Sequence, residues 1–120
     1  MSQNALVSIH PYFKIHPGQL DAARALLHQF VAKTATEPEC RYYEFTINDD
    51  VVFCREGYAN AAAALAHLEN VGDLLQQMLG VSDLIRLELH GPAAELDLMR
   101  GPLGPFQPAW FVWECGVQRG

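Results

Sequence analysis

Apolar residues in this chain recur with two different periods. Over residues 5–14, ALVSIHPYFK, they alternate: Val7, Ile9 and Phe13 fall on one side, Ser8, His10 and Tyr12 on the other. A period of two marks a strand with one apolar face. Pro17 and Gly18 then punctuate a turn. Residues 19–36 carry Leu20, Ala23, Leu27, Phe30, Val31 and Thr34 at helical spacing, which predicts an amphipathic helix ended by Pro38. Two more strands, 40–48 (CRYYEFTIN) and 51–58 (VVFCREGY), flank Asp49-Asp50. A two-residue turn there sets Asn48 opposite Val51, Glu44 opposite Arg55 and Tyr43 opposite Glu56.

Asn60 supplies an N-cap for an alanine-rich helix over 61–70. A short helix over 73–79 follows and closes at Gly80. Residues 83–90 alternate again, with Ile85, Leu87 and Leu89 against Leu84, Arg86, Glu88 and His90. Pro92 opens another short helix over 92–100. Residues 101–108 read as a Pro/Gly linker. Residues 109–115, AWFVWEC, read as a last strand with Trp110 and Trp113 on opposite faces, paired to an edge of the sheet in its own chain or in a partner's.

The order β-α-β-β-α-β, followed by a helix and a strand, predicts the α+β class. It matches a ferredoxin-like split β-α-β arrangement, a four-stranded antiparallel sheet with both main helices on one face. The whole chain, 1–120, reads as one domain, with a core over about 5–90 and a C-terminal extension over 91–120. One sheet face gathers Val7, Ile9, Phe13, Tyr43, Phe45, Ile47, Val52, Cys54, Ile85, Leu87 and Leu89, the set a helix layer covers. The other gathers Ser8, His10, Tyr12, Tyr42, Glu44, Thr46, Phe53, Arg55, Leu84, Arg86, Glu88 and His90. This second face is too aromatic for a wet surface and too charged for an ordinary core. A second copy packed against it with the charges paired satisfies both features. A solvated face with scattered apolar residues is the plainer alternative.

Composition narrows the partners. A chain of 120 residues, half of them hydrophobic, builds one real core. A net charge of −6 repels phosphate backbones, and no basic, aromatic RNP-type strand is present, so nucleic acid is not an expected partner. No stretch nears the roughly 18 apolar residues of a membrane span, and the first residues lack the basic and apolar segments of a secretory signal. Cys40, Cys54 and Cys115 have no ligand spacing. They read as structural thiols in a reducing cytoplasm. Neither a metal-ligand pattern nor a nucleotide motif is found.

Three segments carry a resemblance. HPGQLDAARALL is similar to a Pro/Lys-Gly turn leading into a first helix, and TEPECRYYEF to a Glu-Pro-Gly-Cys-x-x-Tyr-Glu segment, with Glu39 where Gly is usual. REGYANAAAALAHLEN resembles a Glu-x-Trp-x-x-x-x-Ala-x-x-x-His pattern, in which Glu56 takes the Glu position, Tyr58 replaces the Trp and His67 takes the His. Over about residues 5–90 the chain resembles the antibiotic-biosynthesis-monooxygenase-like family of small dimeric α+β barrels. The resemblance implies a homodimer, a pocket for a small aromatic molecule, and cofactor-independent oxygenation of a quinol or phenol. It also brings haem degradation into view. There the axial histidine's place falls on Gln77, a poor iron ligand.

The candidate site follows. His67 lies roughly 110° from the centre of the helical stripe Ala61, Ala64, Leu65, Leu68, on its flank, where it lines a pocket or faces solvent. Glu56 falls by alternation on the helix-covered face next to Cys54 and opposite Tyr43. A carboxylate there needs a partner or a raised pKa. The expected catalytic residues are therefore His67 and Glu56, either of which would take the substrate proton. Tyr43, Tyr58, Phe30, Met78 and Trp113 would line the substrate pocket. A non-catalytic small-molecule-binding or stress-related dimer of the same fold is the alternative.

Overall fold

A computed structural model describes residues 4–119 of the chain. The outermost ends of the predicted domain, residues 1–3 and 120, lie outside the described residues. Val7–Ile15 (β1), Cys40–Asn48 (β2), Val51–Tyr58 (β3), Ser82–Gly91 (β4) and Ala109–Val112 (β5) form one sheet in the order β2-β3-β1-β4-β5. The first four strands pair antiparallel, as the ferredoxin-like reading requires, and β5 adds parallel to the β4 edge of its own chain. Leu20–Thr34 (α1), Ala61–Asn70 (α2), Gly72–Val81 (α3) and Ala93–Leu103 (α4) are the helices.

Local chemistry explains the hairpin and the α2 start. Asp49 adopts φ 53°, a left-handed conformation that a short polar side chain tolerates. The two-residue turn therefore forms, and Tyr43 pairs with Glu56 and Glu44 with Arg55 as predicted. The Asn60 side chain accepts the Ala63 N–H at 2.9 Å, satisfying one orphan donor of α2. The buried residues of that helix are Ala61, Ala64 and His67. The buried stripe is thus rotated toward His67, because the small alanines, and not Leu65 and Leu68, are what the helix lays on the sheet.

Two apolar clusters hold the helices to the sheet. Phe13, Leu26, Leu27, Phe30, Leu74 and Met78 pack beneath α1 and α3. Val7, Tyr58, Ala64, Leu89, Leu96 and Met99 pack beneath α2 and α4. The candidate site lies at the seam between them.

Three expectations change. Pairing of β1 with β4 skips one residue between Tyr12–Arg86 and Phe13–Leu84, so Ile85 is the extra residue of a β-bulge. The bulge turns Leu84 into the first cluster and leaves Ile85 54% exposed on the open face, the reverse of simple alternation. The 101–108 segment is not a plain linker. α4 runs through Pro102 to Leu103, and a 3₁₀ turn spans Gly104–Phe106. Pro102 lies in the last turn, where its missing N–H forfeits a single intrahelical bond, and Leu103 is buried and anchors the end. The final strand is shorter than expected. It stops at Val112, with Trp110 half-buried under the Arg100 guanidinium, 4.6 Å from its ring centroid. The predicted edge pairing is present, but Trp113 lies past the strand and is 43% exposed.

The open face keeps its aromatic and charged character. Tyr12 and Phe53 rings lie 4.7 Å apart, His10 meets His90 at 4.7 Å, and His90 stacks on Phe111 at 4.5 Å. Tyr42 lies so close over Gly57 that a Cβ there would meet its ring at 2.5 Å.

Candidate active site

Strand alternation and a helix turn bring the two expected catalytic residues together. On β3 the helix-covered face carries Cys54, Glu56 and Tyr58, all buried. The Tyr58 hydroxyl donates to Glu56 Oε1 at 2.5 Å. From α2, buried His67 places Nε2 3.4 Å from the same oxygen. Its Nδ1 lies 3.0 and 2.9 Å from the two oxygens of Glu37, a residue of the turn between α1 and β2. Asn70, one helical turn after His67, donates to Glu37 Oε2 at 2.8 Å and to the Lys33 carbonyl at 3.3 Å. The Tyr43 and Tyr58 ring centroids each lie 5.0 Å from the imidazole and fix its plane.

Burial sets the protonation states. Desolvation pushes the Glu56 carboxyl up to about 7, against the pull of hydrogen bonds from Tyr58 and Cys54. Desolvation lowers the His67 pKa, although Glu37 favours the charged ring. The imidazole is therefore neutral at neutral pH. When Glu56 is protonated, the hydrogen lies on Nδ1, against the two oxygens of Glu37, and the Nε2 lone pair faces the Glu56 carboxyl. Burial, and then the charge of Glu56, raise the Tyr43, Tyr58 and Cys54 pKa values. These groups remain protonated donors. Burial also pushes Cys40 up to about 11. The arrangement can hold, give or take one proton at Glu56 near neutral pH.

A cavity of about 70 Å³ opens beside this cluster. Five of the residues predicted for the site line it: Phe30, Tyr43, Glu56, His67 and Met78. Tyr58 stands behind the wall and acts on the cavity through Glu56. Trp113 is not in the wall, because β5 pairs with the Glu88–Gly91 end of β4 while the cavity meets that strand at Leu84 and Leu87. Gln77 is exposed and does not reach the cavity; its neighbour Met78 does. Leu103 and Phe106 complete the wall from the segment read as a linker. No Lys or Arg among the described residues lines the cavity. Among the described residues, no group of three or more His, Cys, Asp or Glu is placed to hold a metal ion, and no helix is long and apolar enough to cross a membrane.

Glu37 and Asn70 were not among the expected site residues. Their one legible signal is the spacing of His67 and Asn70, two polar side chains three apart and so neighbours on one face of the helix, where they can share a polar partner.

The chain is similar to known proteins in family and fold. Residues 6–72 match the model of the family described as antibiotic biosynthesis monooxygenase. No curated protein matches the chain. Among solved structures, MupZ from Pseudomonas fluorescens is similar at 38% identity and a TM-score of 0.91, over 97% of this chain and 96% of that one. That match takes in the C-terminal helix and strand. Protein SO0527 from Shewanella oneidensis shares the fold at 19% identity and a TM-score of 0.67, over 74% of this chain and 92% of that one. Rv0793 from Mycobacterium tuberculosis does so at 22% and 0.63, over 71% and 92%. With more than half its length under the family model and its ferredoxin-like sheet shared with these structures, the chain belongs to the antibiotic biosynthesis monooxygenase family.

Proposed function

We propose that this protein is a cofactor-independent monooxygenase that uses Glu56 to take a proton from a small, uncharged, electron-rich quinol or phenol. The single observation that carries the reading is Glu56 itself: a buried carboxyl on a cavity wall, held near neutral pKa, with Tyr58 and His67 on one of its oxygens. Removing a phenolic proton yields an anion that reacts with O₂ directly. A base poised near the working pH is suited to that step. His67 would serve as the acceptor beyond Glu56. Phe30, Tyr43 and Met78 would hold the ring.

The cavity limits the substrate. A space of about 70 Å³ is smaller than the ~150 Å³ that accommodates benzene. A slender or single-ring molecule therefore enters only as the Leu103 and Phe106 side chains give way. An apolar wall without Lys or Arg disfavours phosphate and carboxylate substrates. The protein would work as a homodimer through its open sheet face.

A second reading is favoured by the same carboxyl. Half-protonated near pH 7, Glu56 is as fit to give a proton as to take one, so acid–base catalysis without oxygen would use the same residues. Oxygen uptake with a panel of quinols and phenols tests the first reading: uptake in the wild type, lowered roughly 10²-fold in Glu56→Gln, is the expected result. Substrate turnover that is unchanged under anaerobic conditions would replace it with the second. No turnover with either, alongside saturable binding, would leave a small-molecule-binding dimer.

A further inference from the structure

We propose that His67 and Glu37 form the proton path between Glu56, buried on the cavity wall, and water outside, with Glu37 as the outer end. This deepens the reading above and rests on Glu56 being the group that gains and loses a proton there.

The geometry is a line of three side chains crossing a wall. Glu56 and His67 line the inner cavity. Glu37 does not. It lines a second, more open pocket of about 250 Å³, together with Val31, Thr34, Cys40 and Tyr42. The imidazole spans the two, with Nε2 3.4 Å from Glu56 and Nδ1 2.9 Å from Glu37. Side-chain exposure is 6% at Glu56, 2% at His67 and 15% at Glu37, so water meets the line at its Glu37 end. The other polar groups of the inner wall are the Cys54 thiol and the Tyr43 phenol, which also lines the outer pocket; burial holds both protonated, so neither takes up the Glu56 proton as a free base.

Glu37 is built into position. Its N–H donates to the Thr34 carbonyl at 2.9 Å, and Asn70 fastens its carboxylate. Lys33 Nζ donates to the Asn70 carbonyl at 3.0 Å, leaving a cation beside the outer end. The ionisable groups around the line are Lys33 from α1, Cys40 and Tyr43 from β2, and Cys54, Glu56 and Tyr58 from β3.

The transfer balances without any other reagent. In the outward passage the Glu56 carboxyl proton moves to His67 Nε2, and the Nδ1 proton moves to the Glu37 carboxylate and on to water. The ring is left as its Nε2–H tautomer, facing a Glu56 carboxylate. The inward passage reverses each step: water protonates Glu37, Glu37 protonates Nδ1, and the Nε2 proton returns to Glu56. Each passage flips the tautomer and the next restores it.

Glu37→Gln separates holding the ring from carrying the proton. The amide oxygen still accepts from Nδ1–H, but the amide takes no proton. The measurement is the infrared carboxyl band of Glu56, assigned by its loss in Glu56→Gln and followed after a rapid pH jump across neutrality. With the final pH set well below 7, where loss of the Glu37 charge no longer alters the extent, protonation of Glu56 should be complete in both proteins but roughly 10²-fold slower in Glu37→Gln. Exposed Glu39→Gln should leave the rate unchanged. A Glu37→Ala variant should be equally slow, and formate, small enough for the vacated outer pocket, should restore its rate in proportion to concentration. Wild-type speed in Glu37→Gln, or no rescue of Glu37→Ala by formate, overturns the path while leaving Glu56 as the acid–base group. A wild-type Glu56 band that does not titrate across neutral pH removes the acid–base reading itself, and the path with it.

Discussion

The Tyr58 hydroxyl and the Glu56 carboxyl, two positions apart on one face of β3, share a 2.5 Å hydrogen bond. Because a strand returns to the same face every second residue, donor and acceptor are fixed to each other by the strand itself and do not depend on the packing of a helix. The bond favours the carboxylate and partly offsets the desolvation that holds Glu56 near 7. In Tyr58→Phe the Glu56 pKa should rise, and the limb of the pH–rate profile that needs the carboxylate should move to higher pH by about one unit. Loss of the bond should cost about 1–3 kcal/mol of stability. A pH–rate profile identical to the wild type would show that the bond does not set the acidity of the site.

Stability should carry the signature of Glu56. Its carboxyl moves from an ordinary 4.5 to about 7 on folding. The folded state therefore binds the proton more tightly than the unfolded chain. The stabilising effect is complete below 4.5 and is lost as pH rises toward 7, at about 1.4 kcal/mol per pH unit and about 3 kcal/mol in all. His67 acts in the opposite sense. Its lowered pKa means that stability is lost as pH falls below 6.5 and the ring is forced to charge. Denaturant melts of the wild type and Glu56→Gln across pH isolate the first effect. The variant should gain on the wild type as pH rises and should be the more stable of the two at alkaline pH.

His67→Ala should not be a silent change in stability. The ring is 2% exposed and is the hydrogen-bonding partner of Glu37. Its removal opens a cavity and strands a carboxylate, for about 1–3 kcal/mol. His67→Gln keeps a donor toward Glu37 and should recover much of that stability while leaving proton transfer impaired. Equal melting midpoints for wild type and His67→Ala would contradict the packing described.

The open sheet face should be covered by a second copy of the chain. Its charges are already paired within the chain, Arg86 with Glu88 and Arg55 with Glu44, which reduces the cost of burying them. Ile85 and Phe53 supply apolar area between those pairs. Replacing Ile85 by Glu should weaken dimerisation on the order of 10²-fold or more. Sedimentation of the wild type as a monomer at micromolar concentration would remove this role from the face.

The sheet was legible because its signals are local. The Asp49-Asp50 turn set the β2–β3 register, which placed Glu56 opposite Tyr43, and strand alternation put it on the covered face. The site was half legible for the same reason. Glu56, Tyr58 and His67 stand within one short segment, whereas Glu37 reaches His67 from thirty residues away, and no periodicity reports a contact between a turn and a helix. His67 was set on the edge of its helix because hydrophobicity weighted Leu65 and Leu68 over the alanines, while close approach to the sheet selected the alanines. The 101–108 segment was misread because Pro and Gly signal breaks, and Pro102 lies where a helix tolerates one.

The extra residue in β4 gives that strand a spare position in its reading frame. Elsewhere in a strand, loss of one residue inverts every side chain beyond it. Between Leu84 and Arg86 a loss has the opposite effect. With Ile85 deleted, Leu84 still faces inward and Arg86 outward by ordinary alternation, and the two halves of the strand keep their orientations across the join. The halves of β4 before and after Ile85, both of which reach the cavity, are thus insulated from each other against a single-codon deletion at this one site.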